Sequence, residues 1–440
     1  MNTALKNIAG TFDILPAGGT REGAHPQGTA EWQFVERRIR EILARFQFHE
    51  IRTPILEPTE LIARGIGQHT DIVSKEMFAF ERDDDRYVLR PEITAPVMRA
   101  YLQHHLDQAG GAQKVYYIGP CFRAERPQKG RFRQFHQFGA EVIGSPNPIA
   151  DAEVVAAMMA VYEAFGVTGQ RLRLNTLGDP ADRPRFRDAL RAYFEPYRSD
   201  LSDTSRLRLD KNPLRLLDTK EERERRLLEG APRLIDYIDA ESRAHYEAVK
   251  GFLADNGVAF VEDPFLVRGL DYYTRTAFEL ESDDLGAQSA LAGGGRYDLL
   301  AREIGHDQDV PAVGFAAGIE RLLMALEALG RPFPEPVAPD VAFVALGGAA
   351  ARWAFREALA LRLAGLRVVL DLQGRSMKAQ MREANRSGAR RVVILGDHEL
   401  AQGAVVVKEM ATGEQATVPL GDVRTRLAGE HPRPAAVTSG

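Results

Sequence analysis

The densest chemistry in the chain lies in FRAERPQKGRFRQFHQFGAE, residues 122–141. Arg123, Arg126, Lys129, Arg131 and Arg133 stand on or between two stretches of strand character, KVYYIGPCF and QFHQFGAEVIG. Planar guanidinium groups hold phosphate oxygens bidentately, so this is what a polyphosphate site needs. A charge run alone more often makes a solvated hairpin. Strand alternation tilts the balance, because it puts Phe135, Gln137 and Glu141 on one face. An aromatic ring, an amide and a carboxylate beside a basic loop describe a small-molecule site, whereas an ordinary sheet face is apolar. His136 falls on the other face and reads as structural.

Four further segments carry candidate chemistry. LVRGLDYYTRTAFE places Arg268 and Asp271 at the start of a strand, followed by Tyr272 and Tyr273; an edge strand with aromatic pairs is the plain alternative. In AGGGRYD, Gly293–Gly295 let backbone approach a ligand or a neighbouring strand. VGFAAGIERL combines small residues with Arg321 at a helix start, where a structural salt bridge would also suit it. LRPEITAPVMRA puts Pro91, Glu92 and Thr94 at a helix N-terminus, where an acid is favoured.

Elements must position these residues. Trp32, Val35, Ile39, Ile42, Leu43 and Phe46 recur at helical spacing, and Pro54 and Pro58 make IRTPILEP extended. Residues 17–28 read as a mobile, turn-rich loop; no Gly-Lys-Ser/Thr follows, which argues against a phosphate loop. Residues 151–166 read as a buried helix, 180–255 as a helical insertion, 260–280 as β-rich and 314–329 as an apolar helix. RPFPEPVAP, residues 331–339, reads as a stiff linker. Beyond it, strands at 341–346, 367–372, 391–396 and 403–409 alternate with helices at 349–364 and 376–387, a small α/β domain. On the second helix Lys378, Arg382 and Arg386 recur every four residues, a basic stripe that suits RNA about as well as solvent. Residues 429–440 read as a disordered tail.

Composition narrows the class. The 440 residues suffice for two or three domains, and 44% hydrophobic with 27% charged residues is a globular balance. A net charge of −5 excludes a wholly basic nucleic-acid coat. One cysteine, Cys121, excludes an intramolecular disulfide and a Cys-rich zinc site. The longest apolar run, 341–351, is too short for a membrane span, and MNTALKNIAG lacks a signal-peptide core, so a cytoplasmic location is expected.

Taken together and in order, these segments resemble the class II aminoacyl-tRNA synthetases, and among them the histidyl-tRNA synthetases. The helix and extended stretch ending near Pro54 look like motif 1, FRAE with its basic loop and GAE strand like motif 2, and GFAAGIERL like motif 3. VRGLDYYTRTAFE and GGGRYD look like the histidine-specific signatures, and the likeness runs from GTFDILP through the C-terminal domain. The resemblance implies an α+β catalytic domain (1–330) with an antiparallel sheet flanked by helices, the helical insertion, and an α/β anticodon-binding domain (340–428). It implies a homodimer that converts histidine and ATP to histidyl-adenylate and pyrophosphate, then transfers histidine to its tRNA, with Mg2+ on the phosphates and no protein-bound metal.

The resemblance also implies roles. Arg123 and Arg268 would grip the α-phosphate from opposite sides, and Arg131 and Arg321 the γ-phosphate. Phe135 would stack on adenine, with Glu125 near its amino group. Glu141 would accept from the imidazole N–H and Tyr273 serve the other nitrogen, while Glu92, Thr94 and Gln137 bind the amino and carboxyl groups and Tyr272 and Tyr297 line the pocket. Gln128 and Arg133 would read the acceptor end of the tRNA, and Lys378, Arg382 and Arg386 would face RNA. Two departures stand out: the 17–28 loop is long, and Ile93 replaces a glycine common in relatives. The competing readings are a histidine-sensing regulatory protein of the same fold, which lacks the C-terminal domain, and a synthetase for threonine, proline or glycine.

Overall fold

A computed structural model describes residues 5–21, 23–67, 70, 72–128, 130–217, 219, 221–267, 272–282, 289–333 and 337–428. Arg268, Asp271, Lys129 and the 429–440 tail lie outside the described residues. The chain divides into two compact units, one through Pro334 and one from Glu335.

The first unit is built on an eight-stranded sheet in the order His49–Glu50, Gln113–Phe122, Gln134–Ile143, Ala312–Gly318, Ala290–Arg296, Thr274–Ser282, Gln170–Thr176, Val261–Glu262. The six central strands pair antiparallel, and the short outer strands pair parallel to their neighbours. Alternation splits Gln134–Ile143 as its residues require: Phe138, Ala140 and Val142 enter the core, and Phe135, Gln137 and Glu141 line a cleft. Helix Thr29–Arg45 buries Trp32, Val35, Ile39, Ile42 and Leu43 against the core side, with helix Pro148–Ala164 beside it. Each such aliphatic contributes about 1.5–3 kcal/mol on burial, which is what holds an amphipathic helix to a sheet.

The sequence predicts helix over the whole of 314–329, but the helix begins only at Ile319 and 312–318 is a strand. Glycine and alanine in VGFAAG leave local preference weak. Pairing on both edges, with Gln134–Ile143 and Ala290–Arg296, decides the outcome. The 17–28 loop is likewise tied down rather than loose. Asp13 bridges Ala24, the His25 N–H donates to the Asp13 carbonyl at 2.8 Å, and the buried His25 ring packs 5.1 Å from Trp32.

Among the described residues between 183 and 255 the α-helices are Arg183–Phe194, Asp203–Lys211, Glu222–Leu228 and Ala240–Asp255, within the 180–255 stretch whose composition predicts helix. Phe186, Leu190 and Phe194 join the second core, on the cleft side of the sheet.

The second unit is a five-stranded sheet in the order Val368–Leu370, Val341–Leu346, Arg391–Gly396, Ala404–Glu409, Gln415–Pro419. Helices Gly348–Leu363 and Met377–Arg386 flank it. The last strand escapes sequence reading because QATVP buries only Val418.

Candidate active site

One cleft of about 1220 Å³ opens on the sheet of the first unit. That exceeds the ~300–1,000 Å³ typical of a single small ligand, so an amino acid and a nucleotide fit side by side. Glu92, Thr94, Arg123, Glu125, Arg131, Phe135, Gln137, Glu141, Tyr272, Tyr273, Tyr297 and Arg321 all line it, drawn from segments more than 200 residues apart.

At one end Glu141 is fully buried. Its Oε1 accepts from the Thr94 hydroxyl at 2.9 Å and the Tyr117 hydroxyl at 3.1 Å, and its Oε2 accepts from Tyr297 at 2.6 Å. Gly314 makes room for it: a Cβ there would lie 1.4 Å from Oε2. Burial pushes the Glu141 carboxyl up to about 8, against the opposing pull of the Tyr297 and Thr94 hydrogen bonds. The shift belongs to the folded environment, which the sequence alone does not reveal. Tyr272 and Tyr297 rings stand 5.6 Å apart, and Tyr273 packs 4.7 Å from Tyr272.

Glu92 is differently employed than a free acid would be. Its two oxygens accept from the Thr94 N–H at 2.7 Å and the Ala95 N–H at 2.9 Å, capping helix Thr94–Gln103. Burial raises its pKa, and the two backbone bonds lower it in part.

At the other end the arginines converge. Arg123 lies over the Phe135 ring at 5.1 Å and donates from Nε to the Pro91 carbonyl at 3.0 Å. Arg131 pairs with Glu125 at 2.9 Å, and Arg321 donates to the Ala290 carbonyl at 2.6 Å. Burial lowers the Arg321 pKa, and the charges of Arg131 and Arg123 lower it further. Three like charges held this close, in a partly desolvated wall, call for a polyanion.

Some residues fall elsewhere. Gln128 and Arg133 do not line the cleft; Gln128 is exposed, and the Arg133 N–H donates to the Gly10 carbonyl at 2.7 Å. Lys378, Arg382 and Arg386 are exposed on their helix in the second unit, with Arg386 paired to Glu383 at 2.6 Å. His136 serves structure, its Nδ1 2.9 Å from Glu320. Sequence reasoning missed Tyr117, whose place opposite Gly139 brings its hydroxyl to Glu141. A tyrosine in VYYI looks like core from alternation alone.

Comparison with known proteins bears on these observations. Residues 21–322 match the family described as Histidyl-tRNA synthetase, and residues 340–430 match the Anticodon binding domain. The chain is 48% identical over 429 residues to a Histidine--tRNA ligase of Chloroherpeton thalassium, covering 97% of this chain and 98% of that one. It is 50% identical over 412 residues to the Histidine--tRNA ligase of Chlorobium phaeovibrioides, covering 93% and 96%. The crystal structure of apo S. aureus histidyl-tRNA synthetase matches with a TM-score of 0.79 at 37% identity, covering 97% of this chain and all of that one. With sheet, cleft and both sequence regions in agreement, this chain belongs to the histidyl-tRNA synthetase family.

Proposed function

We propose that the protein is a histidine–tRNA ligase that first forms histidyl-adenylate from histidine and ATP and then esterifies the terminal ribose of its tRNA. The observation that carries this reading is the placement of a buried carboxyl, ringed by hydroxyls, in the same cleft as Arg123, Arg131 and Arg321.

In the first step an oxygen of the histidine carboxylate attacks the α-phosphorus, and the bond to the β-phosphate oxygen breaks, releasing pyrophosphate. Both partners are anionic, so the barrier falls when cations neutralise the phosphate and hold the two in line. Arg123 is proposed to hold the α-phosphate, with Phe135 beneath it to stack adenine and Glu125 near the amino group. Arg131 and Arg321 take the outer phosphates. Arg268, which lies outside the described residues, would by family resemblance contact the α-phosphate from the other side. Mg2+ would supply further charge neutralisation on the outer phosphates. Among the described residues no group of three His, Cys, Asp or Glu is set to hold a metal.

Glu141 is proposed to pair with one imidazole nitrogen and the Tyr273 hydroxyl with the other. A neutral imidazole offers one N–H donor and one acceptor, so the Glu141 carboxyl accepts from the donor and the tyrosine hydroxyl serves the other nitrogen. Glu92, Thr94 and Gln137 would bind the amino and carboxyl groups. In the second step a ribose hydroxyl attacks the acyl carbon and AMP leaves. Gln128 and Arg133 are proposed to meet the acceptor end, and Lys378, Arg382 and Arg386 the anticodon region. A homodimer and a cytoplasmic location accompany this reading. Among the described residues no helix is long and apolar enough to cross a membrane.

Histidine-dependent ATP–pyrophosphate exchange tests the proposal. Exchange with histidine alone among the amino acids supports it. Absence of exchange would favour a histidine-sensing regulator, and exchange with another amino acid a different synthetase.

A further inference from the structure

Arg296 is fully buried, yet it does not line the cleft. Its Nε donates to Asp151 at 3.2 Å and a terminal nitrogen reaches the other oxygen of the same carboxylate. The rest of the guanidinium donates to the Ser145 carbonyl at 2.9 Å, to Asp298 at 3.1 Å and to the Asn147 carbonyl at 3.4 Å. Asp151 is itself fully buried, in the first turn of helix Pro148–Ala164, and faces Nε2 of His245 at 3.3 Å. A nitrogen facing a carboxylate must carry its proton, so His245 donates. His245 is buried on helix Ala240–Asp255, the last helix of the insertion.

Tyr297 follows Arg296 directly. Its N–H donates to the Ala312 carbonyl at 2.8 Å, and Asp298 accepts from the Ala312 N–H at 3.0 Å. The tyrosine whose hydroxyl touches Glu141 is thus flanked on both sides by a charge network that does not line the cleft. The sheet is irregular at this point. Gly295 pairs with Ala277 but Arg296 pairs with Thr274, so Arg275 and Thr276 bulge from strand Thr274–Ser282 while Arg296 stays in register with Val313 on its other side. Such bulges re-aim side chains beside active sites. Arg275, inside the bulge, has φ +38°, a left-handed value that costs a non-glycine residue. It is held by its N–H to the Gly178 carbonyl at 2.8 Å and by Glu241 at 2.6 Å.

Glu241 and His245 lie one turn apart on the same helix, so the insertion meets the bulge directly through Glu241 and Arg275 and reaches Arg296 indirectly through His245 and Asp151. The two differ in weight. The Glu241 side chain is 76% exposed, and such a pair is screened and weak. His245, Asp151 and Arg296 are buried, where removal of a partner leaves an unpaired polar group.

We propose that His245 is a positioning residue for histidine selection: through Asp151 and Arg296 it fixes the strand end, beside the bulge, from which Tyr297 reaches Glu141, so a helix of the insertion tunes an amino-acid pocket it does not line. This rests on the reading of the cleft as a histidine site.

The test uses the full chain in ATP–pyrophosphate exchange. His245→Ala should raise the histidine KM roughly 10-fold, because small misplacements in a hydrogen-bonded site are costly, and leave the ATP KM within about twofold. His245→Gln, which retains an N–H toward Asp151, should recover most of the loss. In a Tyr297→Phe background, His245→Ala should shift the histidine KM by less than about twofold, since coupled residues are not additive. If the alanine variant fails to fold, the shorter His245→Asn reads the same KM split. Parallel shifts in both KM values, loss of thermal stability with neither KM changed, or full additivity with Tyr297→Phe would overturn the proposal. These outcomes are distinct from failure of the functional reading, which would show as no histidine-dependent exchange in the unaltered protein.

Discussion

The hydroxyl of Tyr297 donates to Oε2 of Glu141 at 2.6 Å across 156 residues of chain. The contact joins the two segments with the clearest claim to histidine, GGGRYD and the GAE strand, and it sets the pocket's geometry. Tyr297→Phe removes that donor alone. A hydrogen bond to a charged or buried partner is worth about 1–3 kcal/mol, so histidine kcat/KM should fall by roughly 5- to 150-fold with the ATP KM unchanged. Steady-state exchange at varied histidine and ATP measures it, and an unaltered histidine kcat/KM would remove Tyr297 from the pocket.

Gly314 is a steric requirement of the same carboxyl. A methyl group there would stand 1.4 Å from the Glu141 oxygen, so the side chain must leave its place. Gly314→Ala should cut histidine kcat/KM by on the order of 100-fold, the scale of an ångström's misplacement. Equilibrium binding of a non-hydrolysable ATP analogue should survive. Wild-type activity in this variant would show that the carboxyl position is immaterial.

The Glu141 proton has a consequence for stability. Burial raises the folded-state value from 4.5 to about 8, so between those values the folded protein holds a proton that the unfolded chain has released. The stabilisation from this group is complete below about pH 4.5 and is lost as pH rises through about 8. Glu141→Gln has no such titration. Its stability relative to the parent should improve from pH 5 to pH 8 by on the order of a few kcal/mol. Urea denaturation at the two pH values checks this, and a difference that does not change with pH contradicts it.

Arg321 tests the phosphate end. Lysine keeps the charge but loses the planar fork. Arg321→Lys should lower the exchange rate by roughly 100-fold, the usual effect of losing one donor to a developing charge. A rate within a factor of two of the parent would argue that the outer phosphates lie elsewhere.

Lys378 and Arg382 are exposed on one helix of the second unit. If they neutralise phosphates beside unstacked anticodon bases, replacing both with alanine should raise the tRNA KM and flatten its salt dependence. The slope should change by about 0.7 log units per log unit of salt for each phosphate left without its cation. Aminoacylation over a range of salt concentrations reads the slope. A slope equal to the parent's would mark the stripe as a solvated face.

What the amino-acid order alone determined here is the set of local choices. Alternation around Phe135, Gln137 and Glu141 named the cleft face of a strand. The apolar spacing from Trp32 to Leu43 named a buried helix stripe, and the sequence motifs named the family. Each of these is written in neighbouring residues, because strand and helix periods are short. Tertiary structure decided the rest. VGFAAG became a strand because two neighbours offered it hydrogen bonds. Tyr117 became a pocket residue because register set it opposite Gly139. Glu92 became a helix cap, and the Glu141 carboxyl was pushed upward in pKa, because burial and partners arrive only when distant segments meet. Charge state and contact are properties of an environment, and this environment is assembled from segments as far apart in the chain as Glu92 and Arg321.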